Sequence, residues 1–273
     1  MNNQYLKFWG VRGSRSTAES NKMEYGGDTS CIEIRTQNNE LIILDMGTGL
    51  NNLGKSIIGE EKSPTTINVF LSHYHWDHIL GFLTFMPIYN SKYKINIYGN
   101  NKNTSINEIS KKLLDKTFWP VSIDMLKAEI NFIELNNKSV NISDVKITCN
   151  EHTHPNGATS YKISYKNHDI VYTTDCEHAE DNLSKNVIEF AENADILIHD
   201  SHFTPEDLET HKGWGHSSWE QAAQVAKLAK IKKLFLFHYS PEYDDSAVKK
   251  MEENAKNVFK ETYAAKQGLK YKF

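Results

Sequence analysis

Cysteine is scarce in this chain of 273 residues, with three in all. Cys31, Cys149 and Cys176 are far apart and form no Cys-x-x-Cys pair. That spacing excludes a disulfide framework and a Cys-type zinc ribbon, so the three are expected to be reduced and buried. Long hydrophobic runs are missing too. No window approaches the roughly 18 uncharged apolar residues of a membrane span, and the polar start Met1-Asn2-Asn3-Gln4 does not read as a signal peptide. A cytoplasmic protein with no membrane partner is expected. Nor is there a basic surplus: 31 Lys and Arg face 35 Asp and Glu, a net charge of −4. Proteins that grip long nucleic acid neutralise many phosphates with a basic face, so such a partner is not expected. The basic stretch Lys227–Lys233 reads as a solvated helix end. With no internal repeat and no low-complexity linker, residues 1–273 are expected to form one domain, and 39% hydrophobic content suffices for a large core.

Apolar segments of strand length dominate the first half: 5–9, 31–35, 41–44, 67–71 and 94–98. The second half mixes strand signals at 145–149, 160–165, 170–173, 196–199 and 234–237 with helical patterns, which fall over 104–116, 181–191, 217–229 and 246–263. Ser217-Ser218-Trp219-Glu220 has the spacing of a capping box between Ser217 and Glu220. Strands followed by helices in both halves predict two sheets packed face to face and covered outside by helices.

The densest chemistry follows the apolar run Ile67–Leu71. Ser72-His73-Tyr74-His75-Trp76-Asp77-His78 carries four metal-competent side chains within six residues. In an extended segment residues two apart point the same way, so His73 and His75 can converge on one cation. Asp77 and His78, past the turn, reach toward a second. Imidazole and carboxylate without thiolate suit zinc, manganese or iron, and suit calcium poorly.

This cluster follows Leu44-Asp45-Met46-Gly47-Thr48-Gly49 and precedes isolated His, Asp and His at strand ends. The pattern resembles the metallo-β-lactamase superfamily over nearly the whole chain. The resemblance implies a four-layer αββα sandwich whose strand-end motifs build a dinuclear site. Carried over residue by residue, it implies that Asp45 orients a histidine ligand; the alternative is a turn residue. His73, His75 and His154 would hold one metal, Asp77, His78 and His238 a second, with Asp175 bridging them about 3.5–4 Å apart. In Glu151-His152-Thr153-His154-Pro155 two histidines compete for one position; the family pattern favours His154, with His152 the alternative. Two divalent ions, zinc before manganese or iron, and a metal-bridging hydroxide as nucleophile follow from the same resemblance. A homodimer does also.

Between the last two ligands, Ile198-His199-Asp200-Ser201-His202 and Gly213-Trp214-Gly215-His216-Ser217 resemble motifs of the phosphodiesterase branch, which includes transfer-RNA 3′-processing nucleases and cyclic-phosphate hydrolases. His216 would donate to a phosphoryl oxygen or the leaving alkoxide, with Asp200 as its partner and Asp77 in the metal cluster as the third catalytic group. The processing nucleases carry Glu where this chain has Asp200, which puts the Asp200–His216 contact in question. A loop histidine is the alternative for His216. His199, His202, His211, His168 and His178 read as structural or surface residues, with His199 and His202 the first exceptions to look for.

Transfer-RNA processors of the long and bacterial forms extend a glycine-rich arm between the third and fourth motifs, whereas only residues 155–174 separate His154 from Asp175. The N-terminal Lys7-Phe8-Trp9-Gly10-Val11-Arg12-Gly13-Ser14 resembles bacterial cyclic-nucleotide phosphodiesterases. There Arg12 either meets a phosphate or merely accompanies tight turns. A base would stack on Trp214, Trp119 or Tyr239 unless these are core residues. The expectation is hydrolysis of a small phosphodiester, a cyclic nucleotide or other cyclic phosphate. The alternatives are a transfer-RNA 3′-processing endonuclease, a thioester, lactone or β-lactam hydrolase, and a non-catalytic ligand-binding member.

Overall fold

A computed structural model describes residues 4–100, 104–135, 139–179 and 182–273. In chain order its first elements are β1 (Tyr5–Gly10), β2 (Cys31–Arg35), β3 (Leu41–Leu44), α1 (Leu50–Gly59), β4 (Thr66–Leu71), α2 (Trp76–Ile79), β5 (Lys94–Gly99), α3 (Ile106–Leu113) and β6 (Glu129–Glu134). There follow β7 (Ser139–Ile142), β8 (Val145–His152), β9 (Ala158–Tyr165), β10 (His168–Thr173), α4 (Lys185–Ala191), β11 (Ile196–Asp200) and α5 (Pro205–Thr210). Last come α6 (Trp219–Leu228), β12 (Lys233–Phe237), α7 (Asp245–Val258), β13 (Thr262–Ala264) and β14 (Lys270–Lys272).

The chain divides into two compact units. The first holds the described parts of Met1–Gly10, Asp28–Asn136 and Gln267–Phe273; the second holds Val11–Gly27 and those of Asn137–Lys266. Unit one is a mixed seven-stranded sheet in the order β14-β1-β2-β3-β4-β5-β6. Its strands β3 to β6 run parallel. The central strands are covered on both faces, so Leu41–Leu44 and Ile67–Leu71 are buried throughout, which is why they read as unbroken apolar runs rather than alternating ones. Leu41, Ile43, Val69, Leu71, Ile95 and Ile97 share a core with Leu50, Leu53 and Ile57 of α1.

Unit two is a second mixed seven-stranded sheet, in the order β13-β12-β11-β10-β9-β8-β7. β7 to β10 are antiparallel neighbours and β10 to β13 are parallel. Helix α6 lies on β11 and β12, and turns the small buried residues Ala222, Ala223 and Ala226 inward, which permits close helix–sheet approach. Among the described residues no helix is long and apolar enough to cross a membrane. All three cysteines are free and buried.

The expected strands are present, several extended by one to three residues, as β8 is to His152. Two helical expectations need correcting. The pattern over 246–263 ends as helix at Val258, and Thr262–Ala264 instead forms an edge strand on β12. The expected capping box lies one residue later: Ser218 and Gln221 cap α6, because the Ser217 amide is taken by Asp200. The expected helix start at Asp181 lies outside the described residues; α4 runs from Lys185.

Candidate metal centre

In each unit the candidate residues lie at or after the C-terminal ends of strands, where open α/β sheets place their ligand-binding groups. Asp45 follows β3, His73 to His78 follow β4, Asp175 follows β10, Asp200 ends β11 and His238 follows β12. Asp45, Asp175 and His238 all have left-handed backbones, with φ of 61°, 53° and 65°. A non-glycine residue there costs about 1–3 kcal/mol and persists only where surrounding contacts enforce it.

In unit one those contacts are visible. Asp45 Oδ1 accepts the Ser72 amide at 2.7 Å, and Oδ2 accepts the Ser72 hydroxyl at 2.8 Å and His78 Nδ1 at 2.8 Å. The carboxylate therefore holds the His78 proton on Nδ1 and leaves Nε2 as a lone pair, 3.1 Å from Asp77 Oδ2. With its hydrogen given to Asp45, the Ser72 hydroxyl is placed to accept from His73 Nδ1 at 3.1 Å, which would leave that ring the same tautomer. The His73 ring is 4.5 Å from His75 and 4.3 Å from His78, centroid to centroid. Gly47 is required here: a Cβ would lie 2.3 Å from the Asp77 carbonyl.

Unit two gathers the other candidates around two carboxylates. Asp175 Oδ2 lies 3.2 Å from His238 Nε2, and Oδ1 lies 3.9 Å from His154 Nε2 and 3.8 Å from His216 Nδ1. Asp200 is wholly buried. Its Oδ2 accepts His216 Nδ1 and the Asp175 amide, both at 3.0 Å, while Oδ1 accepts the Ser217 amide at 2.8 Å and the His202 amide at 3.1 Å. Burial alone would raise its pKa, but His216 and then His238 outweigh this by charge and hydrogen bond, and hold the carboxyl far below the usual range. The shorter side chain at this position thus reaches His216.

His152 and His154 differ in what their nitrogens meet. His152 Nε2 faces the Thr174 and Asp175 carbonyls at 3.0 and 3.1 Å, and Nδ1 meets the Ser160 hydroxyl at 2.9 Å. Both are spent within the unit, and burial pushes the ring pKa down to about 4. His154 Nδ1 donates to the Gly215 carbonyl at 2.9 Å, which puts the lone pair of the neutral ring on Nε2, 3.9 Å from Asp175 Oδ1. Imidazoles whose Nδ1 is tied, as at His73, His78 and His154, with carboxylates beside them and no thiolate, fit divalent zinc, manganese or iron.

Residues 42–239 match the family described as Beta-lactamase superfamily domain. The chain belongs to that superfamily. A ribonuclease Z of Thermoplasma acidophilum is 29% identical over 85% of this chain and 86% of its own length. Among solved structures, the metallo-beta-lactamase fold protein YhfI from Bacillus subtilis superposes with a TM-score of 0.76 at 22% identity, covering all of both chains. Human tRNase Z, short form, does so with a TM-score of 0.70 at 17% identity, covering 98% of each. The superfamily member described here thus has the α/β metallo-β-lactamase fold, with two mixed sheets and helices.

Within this superfamily member the structure corrects one site expectation. Arg12 does not face a phosphate. It is fully buried, and its guanidinium donates to the carbonyls of Gly26 at 2.9 Å, Lys22 at 3.1 Å, Tyr243 at 2.8 Å and Ser240 at 3.3 Å. Tyr239 is excluded as a stacking platform for the same reason, being buried with its hydroxyl on the Leu236 and Ala265 carbonyls. Trp119 packs on the unit-one core, and Trp214 is exposed. Sequence reasoning undervalued His202. Its ring stacks on His216 at 4.1 Å and 12°, and its Nδ1 donates to the His238 carbonyl at 2.8 Å. Burial keeps it neutral. The nearby Gly13 explains part of the N-terminal motif, since a Cβ there would meet the His238 and His202 rings within 2.7 Å.

Proposed function

We propose that this protein is a metal-dependent phosphodiesterase that hydrolyses one P–O bond of a small phosphodiester, a cyclic nucleotide or other cyclic phosphate. Its ligands are His73, His75, Asp77, His78, His154, Asp175 and His238, with Asp45 orienting His78. They hold two divalent ions, zinc foremost, manganese or iron otherwise. When bound, such ions supply Lewis acidity toward a phosphoryl oxygen and lower the pKa of water. The observation that carries the reading is the buried 3.0 Å contact between Asp200 and His216. It keeps the His216 proton on Nδ1 in the neutral ring and stabilises the charged ring, so Nε2 is the atom that holds a proton for a phosphoryl oxygen or the leaving alkoxide. Hydrolysis of a thioester, lactone or β-lactam gives this pair no phosphate to serve.

The small substrate is supported by the turn between β9 and β10, where only Lys166 and Asn167 separate the strands. No extended arm is present at that point. A second reading, a transfer-RNA 3′-processing endonuclease, is favoured by the similarity to ribonuclease Z along most of the chain. The working protein is a cytoplasmic enzyme in which residues 1–273 act as one hydrolase domain, as a homodimer. The test is a screen of metal-loaded protein against bis-p-nitrophenyl phosphate, cyclic mono- and dinucleotides, phosphoribosyl cyclic phosphates and transfer-RNA precursors. Turnover of the cyclic substrates is expected. Cleavage of precursors alone establishes the second reading, and nitrocefin or thioester turnover without diester cleavage overturns both.

A further inference from the structure

Glu177 was not among the residues singled out in the sequence, yet it ties together two parts of the site in unit two. Its Oε1 accepts the Gly213 amide at 2.5 Å and its Oε2 accepts the Gly215 amide at 2.8 Å, so one carboxylate holds both amides of the Gly-Trp-Gly turn. Its own amide donates to the Thr153 carbonyl at 2.9 Å, which fixes it beside the residue preceding His154. The Gly215 carbonyl then accepts His154 Nδ1 at 2.9 Å, and the next residue, His216, meets Asp200. Both glycines have left-handed backbones, with φ of +83° and +88°. At Gly215 a Cβ would lie 2.0 Å from His154 Nδ1, so the turn is pressed against the imidazole it orients.

We propose that Glu177 is a positioning residue: through the Gly213–Gly215 turn it fixes the carbonyl that sets the His154 tautomer and the approach of His216 to Asp200. This rests on the reading of His154 as a metal ligand and His216 as a proton donor. Two amides held by one carboxylate form a rigid bracket, and the carbonyl it aims keeps the His154 proton on Nδ1 and its lone pair on Nε2. Loss of an outer partner of this kind costs about 10–100-fold in metal affinity or activity. Glu177 also borders a cavity of about 390 Å³ with Thr153, His178, Leu208 and Lys212, so truncation opens onto existing space rather than the core.

The experiment compares wild type with Glu177→Ala, Glu177→Asp and Glu177→Gln. Zinc affinity of apoprotein is measured by competition with a chromogenic chelator, alongside kcat and KM on bis-p-nitrophenyl phosphate and the thermal midpoint. Glu177→Ala is expected to bind zinc about 10–100-fold more weakly and to lose kcat with KM little changed. Glu177→Gln keeps one acceptor and should fall between Ala and wild type; it also serves if the Ala variant does not fold. A lowered thermal midpoint with wild-type zinc affinity and kcat makes Glu177 merely structural and overturns the proposal. If wild type cleaves no diester while Glu177→Ala still weakens zinc binding, the phosphodiesterase reading fails and the positioning role stands.

Discussion

Asp200→Asn separates the chemistry of the buried pair from its packing. The substitution keeps the volume, removes the charge and turns one acceptor oxygen into an NH2 donor. On either side that donor meets other donors: the Ser217 and His202 amides at Oδ1, and the Asp175 amide, His216 and, at 3.4 Å, His238 Nδ1 at Oδ2. Main-chain amides cannot change, whereas an imidazole can move its proton. The amide should therefore settle with NH2 toward His216, forcing the ring proton from Nδ1 to Nε2 and leaving the Asp175 amide opposed. One buried donor without a partner costs about 1–3 kcal/mol, against a total stability of roughly 5–15 kcal/mol. The variant should fold.

Its catalysis should not survive so well. A neutral amide cannot stabilise the charged form of His216, and general acid–base assistance is worth about 10²–10⁴-fold. The expected result is a fall in kcat within that range on bis-p-nitrophenyl phosphate, with KM changed less, in protein whose metal content is measured beside wild type. The decisive comparison adds His216→Ala and the double variant. If Asp200 acts through His216, the double variant has the kcat of His216→Ala to within about twofold, because groups acting as one unit are not additive. Losses that multiply, or a single variant at wild-type kcat with full metal, would refute this account of the pair.

Asp77→Ala should abolish diester cleavage and lower the bound metal per chain, read by elemental analysis, with the circular dichroism spectrum retained. Arg12→Lys should leave KM within about twofold but cost about 1–3 kcal/mol in urea unfolding for each carbonyl left unmet, because the fork that serves four main-chain carbonyls is replaced by a point charge; a raised KM at unchanged stability would restore the phosphate role. His178 gives a pH dependence. Burial pushes its pKa from 6.5 down to about 3, so the unfolded chain takes up a proton that the folded chain refuses. Its contribution is complete above pH 6.5 and is lost as pH falls toward 3, about 2–3 kcal/mol by about pH 4.5. His178→Gln should flatten the acid limb of stability measured by urea titration between these limits, and an unchanged limb would place the acid sensitivity elsewhere.

The strands legible in the sequence are those whose burial on both faces leaves no polar residue to interrupt them, such as Leu41–Leu44 and Leu234–Phe237. Strands that owe their form to pairing were not legible. Lys270–Lys272 carries two lysines around one tyrosine and becomes a strand only by lying antiparallel to β1. Thr262–Ala264 continued a helical pattern and is a strand because β12 offers it a parallel edge. In both, tertiary pairing overrides local propensity.

The chemistry was legible where donor types crowd together and obscure where a single residue acts through geometry. His73 to His78 declare themselves by density, while Asp45, Asp175 and His238 are single residues after apolar strands, and their shared left-handed backbone leaves no trace in residue type. The same limit explains Arg12. A guanidinium among glycines fits an anion site and a buried tie equally well, and what decides is the number of main-chain carbonyls within reach, a quantity set by residues more than two hundred positions away at Ser240 and Tyr243. Asp200 is the converse. Its length alone left the contact with His216 in question, but its position at the very end of β11 brings the backbone close enough for the shorter side chain to collect main-chain amides and an imidazole together. Reach in this site is therefore set by where the strand ends, and a longer carboxylate at 200 would have to withdraw from those amides to make the same contact.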